Sequence, residues 1–220
     1  MIAVYNQAAE GDILMLTFAP ASTGTPAVET KKNVTVVKEP ESEDLLAVNI
    51  QGMGQALGLD KLPAGQVFLS DEQAKVINQA IETAGFDITV VAEKPKLVIG
   101  VVEEMTEHPD SDHLHVTKVD VGEADRLQIV SGSPNMTTGI KVVVAKPGAM
   151  MPSGEIIWPG ALRGVPSAGM ISSGRELKIP GAPDKPGALV LPDDFGQVGE
   201  VFSFEKAKNL YKDGRIDTNY

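Results

Sequence analysis

Cysteine is absent from the 220 residues, which excludes disulfides, thiolate nucleophiles and cysteine-based zinc or iron–sulfur sites. Aromatic residues make up only 5% of the chain, so a base-stacking platform would have few rings to draw on. No stretch approaches the length of apolar sequence that a membrane-spanning helix needs. Met1 leads straight into I-A-V-Y-N, with no basic segment followed by a long apolar run, so no signal peptide is visible. A cytoplasmic protein with no membrane partner is expected. Cations are also in deficit, with 19 lysines and arginines against 30 acids and a net charge of −11. Residues 1–95 carry 13 acids against 6 bases, residues 96–202 carry 14 against 9, and residues 203–220 carry 3 against 4. Phosphate contacts dominate nucleic-acid affinity, so this acidity argues against non-specific binding of RNA or DNA.

What the chain has in quantity is turn-forming residues, 22 glycines and 15 prolines. They point to many turns and short strands rather than long helices. Residues 1–95 are expected to form a small α+β domain. Its β segments are Met1–Tyr5, I-L-M-L-T-F after Gly11-Asp12, and N-V-T-V-V followed by L-L-A-V-N-I. The small-residue stretch A-P-A-S-T-G-T-P-A between the second and third is expected to be a mobile loop. Ser70 with Gln73 three residues on fits a capping box, and Ala74, Ile77, Ala80, Ile81 and Ala84 make an apolar stripe at helical spacing. Gly85 ends that helix. The polar joint Glu93-Lys94-Pro95-Lys96 marks the boundary.

Residues 96–202 read as five or six short strands punctuated by turns, hence a small closed β-barrel or sandwich. Residues 203–220 read as a polar, flexible tail. The most ordered pattern is the run from Glu107 to Gly122. His108-Pro109-Asp110 is a turn, with Asp110 and Asp112 able to accept nearby backbone N–H groups. From Leu114 onward apolar and polar residues alternate until the pattern slips at Thr117-Lys118, which suggests a twist or bulge.

Candidate chemistry is thin. Gly52-x-Gly54-x-x-x-Gly58 has the look of a dinucleotide fingerprint, but Pro63 would cut its helix short, and a glycine-rich turn explains it better. His108, His113 and His115 beside Asp110 and Asp112 invite a metal site, yet no second cluster supplies further ligands and turn chemistry accounts for the acids. Ser167 stands one residue too far from Gly164 for a nucleophile elbow. Glu103 and Glu104 are adjacent, so they point to opposite faces of a strand. No enzyme, cofactor or metal is expected. There remains a polar set on β-type segments: Lys118, Ser131, Ser133, Asn135, Lys141, Arg163, Ser167 and Ser172. Each singly suits a solvated surface. Arg163, flanked by apolar residues and glycines, suits either bidentate phosphate recognition or an intradomain salt bridge.

Four stretches taken together resemble the tRNA-binding domain family. They are H-P-D-S-D-H-L-H-V-T-K-V-D-V-G, L-Q-I-V-S-G-S-P-N, G-I-K-V-V-V-A and L-R-G-V-P-S-A-G-M-I-S-S-x-x-E-L, in order between Leu97 and Val201. The family's module is a five-stranded OB-fold barrel. It occurs at the N-terminus of bacterial phenylalanyl-tRNA synthetase β-subunits, at the C-terminus of methionyl-tRNA synthetases and in stand-alone tRNA-binding proteins. The resemblance implies an α+β domain followed by an all-β OB-fold domain. It also implies a non-catalytic protein of translation that binds folded tRNA by shape. Its site residues would be Lys118, Asn135, Lys141, Arg163, Ser167 and Met170, the last two in the S-x-G-M loop. His113 and Ala161 stand where the family favours lysine, and Ser131 where it often has cysteine. The two lost cations imply a lowered affinity. The alternative is a protein-interaction adaptor that docks on an aminoacyl-tRNA synthetase or self-associates as a homodimer, with little RNA affinity.

Overall fold

Alternation governs the first part of the chain. In β2 (Ile13–Thr17), β4 (Val34–Lys38) and β5 (Leu45–Gln51), Leu14, Leu16, Val34, Val36, Val48 and Ile50 are buried while their neighbours are partly exposed. One face of the sheet therefore carries the core. With β1 (Ile2–Tyr5), β3 (Ala27–Lys31) and β6 (Gly65–Val67), these strands form an antiparallel sheet in the order β3-β4-β5-β2-β1-β6. The computed structural model describes residues 1–21 and 24–220. It divides into two compact units, Met1–Lys94 and Pro95–Tyr220. The short helices α1 (Gln7–Glu10) and α2 (Gly54–Leu57) are turns between strands. The centre of the loop expected between residues 19 and 27 lies outside the described residues. Five-residue β3 was not expected from the sequence: none of its side chains is buried, so no periodicity marks it.

The helix α3 (Asp71–Thr83) lays Ile77 and Ile81 against the buried face of the sheet. Its capping box is complete: Ser70 Oγ accepts the Gln73 N–H, and Gln73 Oε1 accepts the Ser70 N–H. At the other end Gly85 takes φ +84°, and Phe86 and Gly85 donate to the carbonyls of Ile81 and Glu82. That is a Schellman stop. The Gly52–Gly58 stretch is structural as well. Asp12 Oδ1 accepts the Gly54 N–H at 2.7 Å and the Tyr5 hydroxyl at 3.1 Å.

The second unit is built on a five-stranded antiparallel sheet in the order β15-β10-β7-β8-β9. Its members are β7 (Leu97–Glu107), β8 (His115–Asp120), β9 (Leu127–Ser131), β10 (Lys141–Ala145) and β15 (Met170–Ile171). The sheet curls until its ends meet, where the Ala168 N–H donates to the Gln128 carbonyl of β9 at 2.8 Å. This nearly closed barrel is the OB fold. Gly169 shows why a glycine stands at the seam: φ is +125°, and a Cβ would lie 2.7 Å from the Ala145 carbonyl oxygen.

The slip at Thr117-Lys118 has a different origin from the one expected. Thr117 sits inside the barrel in phase with Val119 and Val121, fully buried, and its hydroxyl donates to the Ile129 carbonyl at 2.8 Å. The extra residue is in the partner strand, between Val102 and Glu104 of β7. A threonine in a core position breaks the hydrophobic pattern without breaking the strand.

After Lys141 the run V-V-V-A is apolar throughout because β10 is buried on both faces. Val142 and Val144 point into the barrel with Val102, Val119 and Ile129. Val143 and Ala145 pack outward with Leu177, Leu189, Phe202, Leu210 and Ile216. Residues 203–220 are thus not a frayed tail. The helix α4 (Phe204–Ala207) and the following turns bury Ala207, Leu210 and Ile216, and Arg215 pairs with Asp194. Their apolar residues are too sparse to read as an element; the long-range partner cluster is what orders them. Tyr211 belongs to this layer, and burial pushes its phenol up to about 12, with a smaller push from Tyr220. A raised acid stabilises the fold fully below its unfolded value near 10. That stability is lost as pH rises toward 12, so thermal unfolding followed by Trp158 fluorescence should fall between pH 10 and 12. Tyr211→Phe should flatten the fall.

Candidate nucleic-acid interface

Two short strand pairs, of two and three residues per strand, decorate the barrel. Strands β11 (Ala149–Met150) and β12 (Ile156–Ile157) form one hairpin, and β13 (Gly160–Leu162) and β14 (Val165–Ser167) form another, beside β9. The second carries Arg163. Its two-residue loop, Arg163-Gly164, has φ +44° and +81°, as a primed hairpin turn requires. An arginine in the left-handed region is uncommon, and the conformation throws its side chain back over the turn after β7. There Arg163 Nη1 donates to the Asp110 carbonyl at 2.9 Å.

The base of the hairpin is tied to the barrel. Gln128 Nε2 donates to the Pro166 carbonyl at 2.8 Å, and Gln128 Oε1 accepts the Lys118 ammonium at 3.0 Å. Lys118, Gln128 and the hairpin are therefore joined on one patch. Gln128 was not singled out from the sequence, where a lone glutamine in a strand gives no signal. Ser167 is 4% exposed; its hydroxyl accepts the Val130 N–H and donates to the Gly169 carbonyl. It anchors the hairpin.

Asn135 and Lys141 fall elsewhere. The Asn135 amide exchanges two hydrogen bonds with the backbone of Ala188, at 3.0 and 2.8 Å. Lys141 Nζ donates to the carbonyls of Asp193 and Gly196, at 2.6 and 2.7 Å. Both hold residues 188–196 on the barrel. Met170 lines a cleft of about 260 Å³ with Ser131, Gly132, Ser133, Ser173 and Arg175, among others. Ser172 is fully buried, so it cannot meet a partner from solvent.

Several cations of the unit are paired with acids. Arg126 pairs with Glu103 and Asp120, Lys146 with Glu123, and Arg175 with Asp184. Among the described residues, Lys118 and Arg163 are in no ion pair. Asp112 lies within electrostatic reach of Arg163. The His113 imidazole, hydrogen-bonded at 3.0 Å, holds its carboxyl below the usual range, and Arg163 adds a smaller pull. Among the described residues, no three histidine or carboxylate groups converge as metal ligands. His113 and His115 face separate acids, Asp112 and Glu107. No helix is long and apolar enough to cross a membrane among the described residues.

Residues 97–201 match a family model described as "Putative tRNA binding domain", and residues 21–93 match "Domain of unknown function (DUF4479)". Over 205 residues the chain is 40% identical to the Bacillus subtilis protein called "Putative tRNA-binding protein YtpR", covering 93% of this chain and all of that one. The chain belongs to the YtpR family. Within that family frame, the barrel unit also resembles the phenylalanine–tRNA ligase beta subunit of Ralstonia nicotianae. The two are 47% identical over 104 residues, 45% of this chain but only 13% of the ligase subunit. Among solved structures, the C-terminal domain of Plasmodium vivax p43 aligns at 25% identity with a TM-score of 0.35, over 54% of this chain and 77% of that one. The OB assignment rests on the strand order and seam, not on that overlay.

Proposed function

We propose that the chain is a non-catalytic, cytoplasmic tRNA-binding protein that recognises folded tRNA by shape and backbone through its barrel unit. The observation that carries this reading is the joined patch of Lys118, Gln128 and the Arg163 hairpin, lying within the residues that match the tRNA-binding model. Lys118 and Arg163 are the proposed phosphate contacts. Asn135, Lys141 and Ser167 support the barrel around them, and Met170 offers an apolar edge at the cleft. Structured RNA is read through phosphates, 2′-hydroxyls and overall form, which suits a patch with few rings and two unmatched cations.

Two phosphate contacts predict an affinity that falls about tenfold between 50 and 200 mM salt. Mobility shifts with folded tRNA and with an unstructured RNA of equal length test the reading. Preference for tRNA is expected; equal binding, or none, overturns it. The matched charges of Arg126, Lys146 and Arg175 favour a second reading, an adaptor for an aminoacyl-tRNA synthetase or a self-associating subunit. A synthetase that co-purifies regardless of nuclease treatment would support it.

A further inference from the structure

We infer that His108 is a positioning residue for the proposed RNA patch: its buried imidazole pins the tip of the Arg163 hairpin to the turn after β7. This deepens the tRNA reading and rests on it. His108 is 3% exposed and its own N–H donates to the Leu114 carbonyl, so the ring has a fixed base. Its Nδ1 accepts the Asp110 N–H at 3.0 Å. A backbone N–H can only donate, so Nδ1 carries no proton and the ring proton sits on Nε2. Nε2 lies 3.1 Å from the Leu162 carbonyl oxygen and donates to it. Pro109 has no N–H, which leaves Asp110 as the first amide that can meet the ring.

The connection matters because little else holds the tip. Leu162 is 41% exposed, so burial does not fix it. The bonds from Gln128 and Ser167 act at residues 166–168, the base of the hairpin. At the tip, the hydrogen bonds to the barrel among the described residues are His108 to Leu162 and Arg163 to Asp110, both reaching the same turn. Without the first, the hairpin is a lever hinged near residue 166, and Arg163 must be ordered again when RNA binds, which weakens affinity. Asparagine would also satisfy Asp110, as an ordinary Asx turn. What histidine adds is the reach to Leu162.

Two variants of the full chain separate these roles. His108→Asn keeps the acceptor for Asp110 and loses the donor to Leu162. His108→Gln places an amide N–H near the position of Nε2. In hydrogen exchange, amides of residues 160–165 should open about tenfold faster in H108N and stay near wild type in H108Q. In mobility shifts with folded tRNA, H108N should bind about five- to tenfold more weakly, and H108Q should recover most of the loss. Wild-type exchange in H108N overturns the brace. Faster exchange with unchanged tRNA affinity overturns the positioning role while leaving the tRNA reading standing. Absence of tRNA binding by the wild type overturns the reading itself and the positioning role with it, and the exchange data then report the brace alone.

Discussion

Arg163→Ala is expected to weaken tRNA binding by about ten- to a hundredfold, the worth of a charge-assisted hydrogen bond to phosphate. Arg163 Nη1 is held by the Asp110 carbonyl, and among the described residues the guanidinium makes no other hydrogen bond or ion pair. The residue is exposed, and this one bond orients its guanidinium before any ligand arrives. The loss should be uniform across tRNA species, and the slope of log affinity against log salt should fall by about one. Anisotropy titrations at several salt concentrations measure both quantities. An unchanged slope would remove Arg163 from the interface. Stability offers an internal control, since the residue sits at φ +44°. Arg163→Gly should lose RNA affinity as Ala does, yet stabilise the fold by about 1 kcal/mol through relief of left-handed strain.

Leu210→Ala is expected to cost the barrel unit about 3–4 kcal/mol, the range for a large buried aliphatic that leaves a cavity. Leu210 is 2% exposed and packs in the cluster that covers the outer face of β10. A residue in a solvated tail would change stability by no more than about 0.5 kcal/mol. The chain has one tryptophan, Trp158, next to Ile157 of the same cluster. Its fluorescence in a urea titration therefore reports this unit. A midpoint within error of the wild type would return residues 203–220 to the status of a tail.

These two cases mark the limits of what the residues disclose. The sheet of the first unit was legible because every second side chain of β2 and β5 is buried, and the helix because Ser70 and Gln73 signal locally. The barrel was legible through the Glu107–Gly122 run and its companions. Strand β3 was not, because all five of its side chains are exposed and nothing alternates. Thr117 misled because its partner, the Ile129 carbonyl, is supplied by a neighbouring strand. Of the six residues assigned to RNA, geometry joins Lys118 to the hairpin of Arg163 and Ser167. It gives Asn135 and Lys141 backbone partners more than fifty residues away. His108 suggested a metal ligand on its residue type alone; only the tertiary contact with Leu162 shows it as a brace.

The two-sided burial of β10 carries a consequence for how the chain is made. Val143 and Ala145 are fully covered, but Leu189, Phe202, Leu210 and Ile216, which share their cluster, are synthesised 44 to 73 residues later. Asn135 likewise waits 53 residues for Ala188. A nascent chain that has already delivered the barrel strands still exposes an apolar wall, and loop closure over such distances is slow. Translation must run past Ile216 before that wall is dry. The segment from Ala207 to Ile216 is the lid on the folding of the barrel that precedes it.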